Sequence, residues 1–160
     1  MSKFFTIVLR AGIAALFLFS LFGQAIVIPN SGVDELRRFL PERYVTAYLV
    51  LGILGVVCVQ VAMAAVWKLL AMAERDAIFS PKAFRWIDII IGAAVAATAL
   101  SFGVAVHLMF TDMTEMAFIS AGLLAVACAA GGACLAMLMV VMRGLLRKAT
   151  DLETEMAEVV

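Results

Sequence analysis

Four stretches of the chain are almost free of polar residues, and short clusters of charge separate them. The apolar runs extend approximately from Ala11 to Ile28, from Tyr44 to Leu70, from Trp86 to Phe110 and from Met116 to Met142. A helix crossing the hydrocarbon of a bilayer needs about 20 mostly apolar residues at ~1.5 Å each, so each run predicts a spanning helix. The expected fold is therefore all-α: a polytopic membrane protein, one four-transmembrane-helix bundle over residues 1–160. It carries a short interfacial helix on the outer side and a cytoplasmic helical extension over residues 143–160. Lys3 and Arg10 before the first run, with Gly23-Gln24-Ala25 behind it, resemble a cleavable leader. The run is long enough to span and three more follow, so it is read as a mature helix.

Composition agrees with that pattern. Of 160 residues 66% are hydrophobic and 15% charged, against roughly 25% charged in a soluble domain, which leaves too little polar surface to cover a water-soluble globule. Twelve basic and twelve acidic residues cancel, so net charge points neither to direct nucleic-acid binding nor to an acidic partner. The placement of charge is more informative. Lys3 and Arg10, then Lys68, Arg75, Lys82 and Arg85, then Arg143, Arg147 and Lys148 flank three alternate ends of the spans. The positive-inside rule assigns these to the cytoplasm and puts both termini there. Arg37, Arg38 and Arg43 are balanced by Asp34, Glu35 and Glu42 and leave that conclusion standing.

Local signals fill in the connections. Ser31 stands three residues before Asp34, a capping-box spacing, and Val33, Leu36, Phe39 and Leu40 follow at helical intervals before Pro41, so a short helix on the outer surface is expected. Ser80-Pro81 places a cap residue before a proline suited to a first helical turn, which starts the third helix there. Ala93, Ala97, Ser101 and Ala105 recur every fourth residue in the third span, as do Ala121, Ala125, Ala129 and Ala133 in the fourth. Such small-residue ridges predict a closely packed antiparallel hairpin.

Candidate chemistry is sparse. His107 is the sole histidine, and with Met113 it is the place to look for axial ligands to a haem; no cofactor is otherwise expected. Asp88 lies one turn into the third span, three residues after Arg85, a spacing that suits an ion pair. Gln60 and Gln24 are deeper and read as interhelical hydrogen-bond donors. Cys58, Cys128 and Cys134 read as small buried hydrophobes. No metal-ligand cluster, nucleophile motif or phosphate-binding loop is present, so no enzymatic activity is expected. In the tail, Leu145, Ala149, Leu152, Met156 and Val159 form a short apolar stripe, with Asp151, Glu153, Glu155 and Glu158 on other faces. That stripe requires a surface: the inner loop, a second copy of the chain or a cytosolic partner.

Cys58-Val59-Gln60-Val61, Val66-Trp67-Lys68-Leu69-Leu70, the stretch from Phe79 through Ser80-Pro81-Lys82 to Asp88, and the ending from Asp151 to Val160 together resemble the bacterial domain-of-unknown-function 2975 family over essentially the whole chain. The resemblance implies a small four-span protein of the bacterial cytoplasmic membrane, commonly encoded beside a small helix-turn-helix regulator. It implies no activity and no catalytic residue. The reading that follows is a non-enzymatic membrane regulator or sensor whose inner loop and tail hold such a regulator, through Arg75, Lys82, Arg85, Leu152, Met156, Glu155 and Glu158. The alternative is a small transporter or efflux component working as a homo-oligomer around Asp88 and Gln60.

Overall fold

A computed structural model describes residues 3–39, 41–74, 81–110 and 115–158. Every regular element among them is helical: α1 (Lys3–Phe22), a π-helical segment (Gly23–Gly32), α2 (Val33–Phe39), α3 (Glu42–Ala73), α4 (Pro81–Leu108) and α5 (Glu115–Glu158). Among the described residues four stretches are long and apolar enough to cross a bilayer: Thr6–Asn30, Glu42–Ala73, Lys82–Leu108 and Phe118–Leu152. Their ends follow local chemistry. Pro41 sits in an extended conformation (φ −55°, ψ 141°) immediately before α3, because a proline cannot continue the preceding helix. α4 opens on Pro81, whose missing N–H costs nothing in a first turn; its expected cap, Ser80, lies outside the described residues.

The first connection contains the short helix expected, α2, but not the break before it that the Ser31 spacing predicts: Phe22 and Val33 on either side of the π-helical segment both have right-handed helical backbone, and α2 follows directly. Pro29 supplies the reason, because inside an α-helix its ring collides with the carbonyl four residues back. A widened turn relieves that collision. Asn30 Nδ2 donates to the Ile26 carbonyl at 2.9 Å, which offsets part of the disturbed ladder.

The close backbone approaches follow the order α1–α3, α3–α4, α4–α5, with the α4–α5 interface the most extensive and α1–α3 the thinnest of the three. Close backbone approach between α3 and α5 is at most marginal, and the spans follow one another in chain order as an apolar helical layer. Ala125 and Ala136 of α5 and Ala83, Ile87, Ile90 and Ala94 of α4 are buried. A Cβ added at Gly132 would collide with Thr98 Oγ1 and come within 3.5 Å of the Ala94 carbonyl. The α4 side of this contact thus falls one residue beyond the expected Ala93 and Ala97, which are only half-buried. Small residues at the crossing let the backbones approach, as membrane helices need without a hydrophobic drive between them. Cys128 and Cys134 are exposed and Cys58 is half-buried, a correction to their reading as buried hydrophobes: α5 spends its packing face on Ala125, Gly132 and Ala136.

Candidate functional site

Among the described residues, three polar stations interrupt the apolar layer, each at a different depth. In the interior, Gln60 Nε2 donates to Ser20 Oγ at 3.0 Å and to Gln24 Oε1 at 2.9 Å, while Gln24 Nε2 donates to the Ile53 carbonyl at 3.1 Å. Ser20 Oγ donates in turn to the Phe17 carbonyl at 2.8 Å. The network ties α1 and its π-helical continuation to α3. Gln60 is buried, at 9% exposure, where an amide without partners would cost several kcal/mol. Ser20 escaped notice in the sequence, although it stands four residues before Gln24 and so shares its helix face.

The second station lies at the end of the layer where α1 begins and α3 finishes. Arg10 Nη2 pairs with Glu74 Oε2 at 2.6 Å, and its guanidinium carbon lies 5.9 Å from the Trp67 ring centroid. At the same end Arg143 Nε meets Asp88 Oδ1 at 3.0 Å, both side chains roughly half-exposed. This corrects the expected pairing within α4. Arg85 is exposed and makes no ion pair with Asp88, because the close α4–α5 approach delivers a guanidinium from the neighbouring helix instead. Beside this bridge Phe84, Arg143, Arg147, Thr150 and Asp151 line a small cleft of about 260 Å³.

Several tail and loop candidates belong to this end. Lys82 is exposed, as are Leu145, Ala149 and Leu152 on α5. Glu155, Met156 and Glu158 are helical residues of α5, but their side chains, like all of Arg75, lie outside the described residues. The structure therefore brings Asp88 and Arg143 together beside Arg147, and does not bring Gln60 near Asp88: the one serves α1–α3 and the other α4–α5.

The third station is at the opposite end, beside α2. Tyr48 Oη and His107 Nδ1 are 2.7 Å apart, the hydroxyl donating when Nδ1 is unprotonated. Tyr44 meets the same imidazole edge-on, with ring centroids 5.2 Å apart. The guanidinium of Arg43 stacks over Tyr44 at 4.6 Å. His107 is thus held by two tyrosines one helical turn apart on α3. Met113, its suggested companion on a haem, lies outside the described residues. The tyrosines were missed in the sequence because aromatic residues at a span end read first as interfacial anchors.

Between these last two stations, on the α2 side, α3, α4 and α5 line an open apolar cavity of about 510 Å³. Its walls include Tyr48, Gly52 and Gly55 of α3, Ser101 of α4 and Leu124 of α5, with Leu36 of α2 at one end.

These features define a small polytopic α-helical membrane protein with polar fastenings at both ends and one inside. The chain belongs to the family described as Protein of unknown function (DUF2975), whose model matches residues 34–160. The match begins within α2, so α1 and the π-helical segment precede it, a narrower extent than the whole-chain resemblance expected. No curated protein matches the chain, and no solved structure does.

Proposed function

We propose that the protein is a non-enzymatic membrane regulator whose cytoplasmic face is the end bearing Asp88, Arg143 and the α5 extension, and that this face engages a small helix-turn-helix regulator. One observation carries the reading. α5 runs unbroken for 44 residues, about 66 Å at ~1.5 Å per residue, roughly twice the ~30 Å hydrocarbon core. The stretch from Arg143 to Glu158, about a third of the helix, thus extends past the apolar run. Short isolated helices are marginal in water because nucleation is unfavourable, whereas this one extends a helix already formed in the membrane. Leu145 and Leu152 on it are 58% and 59% exposed, an apolar edge that suits another protein's surface. The distribution of lysine and arginine supports cytoplasmic placement of this end of the layer.

The test is co-purification of full-length protein with a helix-turn-helix regulator encoded beside its gene, compared with a Leu145→Gln/Leu152→Gln variant. Glutamine retains helix propensity and removes only the apolar edge. Recovery of the regulator with the native chain and its loss with the variant is the expected result. Equal recovery from both would remove the α5 edge from the mechanism.

A further inference from the structure

The cavity between α3, α4 and α5 is a lipid site: we propose that it holds one acyl chain of a phospholipid from the leaflet on the α2 side, with the phosphate at Arg43. Its dimensions argue for this occupant. Lining residues run from Tyr48 to Gly55 on α3, from Leu100 to Leu108 on α4 and from Ser120 to Cys128 on α5, which at ~1.5 Å per residue is about 10 to 12 Å along each helix. One leaflet contributes half of a ~30 Å core, or about 15 Å. The cavity therefore has most of a single leaflet's chain depth, and its lining residues lie in the α2-side half of each span. Its volume of about 510 Å³ falls within the roughly 300 to 1,000 Å³ of small-molecule sites.

An apolar wall alone does not distinguish a bound lipid from the surrounding ones, since lipid tails are as apolar as the side chains they would touch. Selectivity has to come from the polar end. Tyr48 both lines the cavity and contacts His107, and Tyr44 beside it carries the guanidinium of Arg43 on its ring. Of the three arginines at this end, Arg37 and Arg38 meet Glu42 and Glu35. Arg43 has no acidic partner among the described residues. An exposed guanidinium stacked on Tyr44, one helical turn before the lining residue Tyr48, complements a phosphate, which accepts paired hydrogen bonds from it.

Gly52 and Gly55 make the site testable without damaging the fold, because a Cβ at either meets nothing within 4 Å; a larger side chain there enters the cavity. The experiment uses the full chain reconstituted in phosphatidylcholine vesicles doped with phosphatidylglycerol that carries a photoreactive group in its acyl chain, and with the matching diacylglycerol in parallel. Crosslinks from the phospholipid are expected to concentrate on the segments 48–55, 100–108 and 120–128. Gly55→Phe should lower them about tenfold at unchanged thermal stability, and Arg43→Gln should bring phospholipid labelling down by a similar factor, to the diacylglycerol level. Labelling spread evenly over lipid-facing residues such as Phe19 and Leu138, or indifferent to Gly55→Phe, would overturn the site. So would a Gly55→Phe variant that passes from dimer to monomer in the same vesicles, which would make a second copy the occupant. Equal labelling by the two lipids would overturn the phosphate contact. None of these outcomes depends on whether α5 binds a regulator.

Discussion

The α4–α5 hairpin and α1 both cross the layer, yet different physics holds them. The hairpin is joined by close backbone approach, with Gly132 against Thr98 and buried Ala94, Ala125 and Ala136 around it. α1 has no buried residue in its most apolar stretch, and turns Leu16, Leu18 and Phe19 outward. It is fastened instead at two points, the Ser20–Gln24–Gln60 amide network and the Arg10–Glu74 pair. Tight packing spreads attraction over many weak contacts and fails when one side chain is too large. Polar fastening concentrates it in a few groups and fails when one of them is removed. The family match begins after α1, so the portion outside it is also the portion fastened this way.

The sharpest break in the comparison comes from two adjacent glycines. Gly132 is walled by Thr98, whereas an added Cβ at Gly131 meets nothing within 4 Å. Gly132→Leu should destabilise the detergent-solubilised protein by about 1 to 3 kcal/mol, the usual cost of overpacking, and Gly131→Leu by less than about 0.5 kcal/mol. Thr98 is stiff at χ1 and its hydroxyl donates to the Ala94 carbonyl at 2.8 Å, so it yields only by giving up that bond. Thr98→Ala should therefore rescue much of the loss in Gly132→Ala, read as a coupling in a double-mutant thermal-unfolding cycle. Equal losses at the two glycines would show that helix propensity, rather than contact, governs this crossing.

Removing the donor that ties α1 comes next. Gln60→Leu keeps the volume and leaves Ser20 and Gln24 Oε1 without their partner. Interhelical hydrogen bonds in membranes are worth about 0.6 to 2 kcal/mol. The expected signature is selective: faster disulfide trapping of cysteines placed on α1 by an external thiol reagent, with α4–α5 unfolding unchanged. A uniform loss across all helices would mean that α1 belongs to the same cooperative unit as the hairpin.

Much of this architecture is legible in the chain, for reasons specific to each part. The four runs are readable because lipid tolerates so few polar side chains, and Pro41 and Pro81 mark helix starts because proline's ring restricts what can precede it. The break expected at Ser31 is absent because Pro29, two residues earlier, reshapes the turn that Ser31 would have capped. Asp88 is paired from α5 and not from Arg85 because a spacing rule within one helix is blind to the neighbour. The His107 cluster was half-visible: the histidine stands out by its rarity, while its tyrosine partners lie 59 and 63 residues away on another helix, a distance that periodicity does not bridge. The cavity was invisible altogether, since its walls come from α3, α4 and α5, segments far apart in the chain.

The smallest expected effect concerns the Asp88–Arg143 pair, and it separates a fastening from a transport group. Both side chains are roughly half-exposed and bridge α4 to α5 near one end of the layer, where water competes for each and the pair is worth less than about 1 kcal/mol. Asp88→Asn should lower thermal stability by no more than that, and Arg143→Gln by the same amount, with the double variant no worse than either single one. Salt should reduce the difference, because screening weakens an exposed pair over about 8 Å at physiological ionic strength. A carboxylate that carried protons would behave otherwise. Its removal would abolish proton-linked flux in vesicles while Arg143→Gln left flux in place. Loss of flux from Asp88→Asn alone would move this pair from the hairpin's fastenings to the machinery of a transporter.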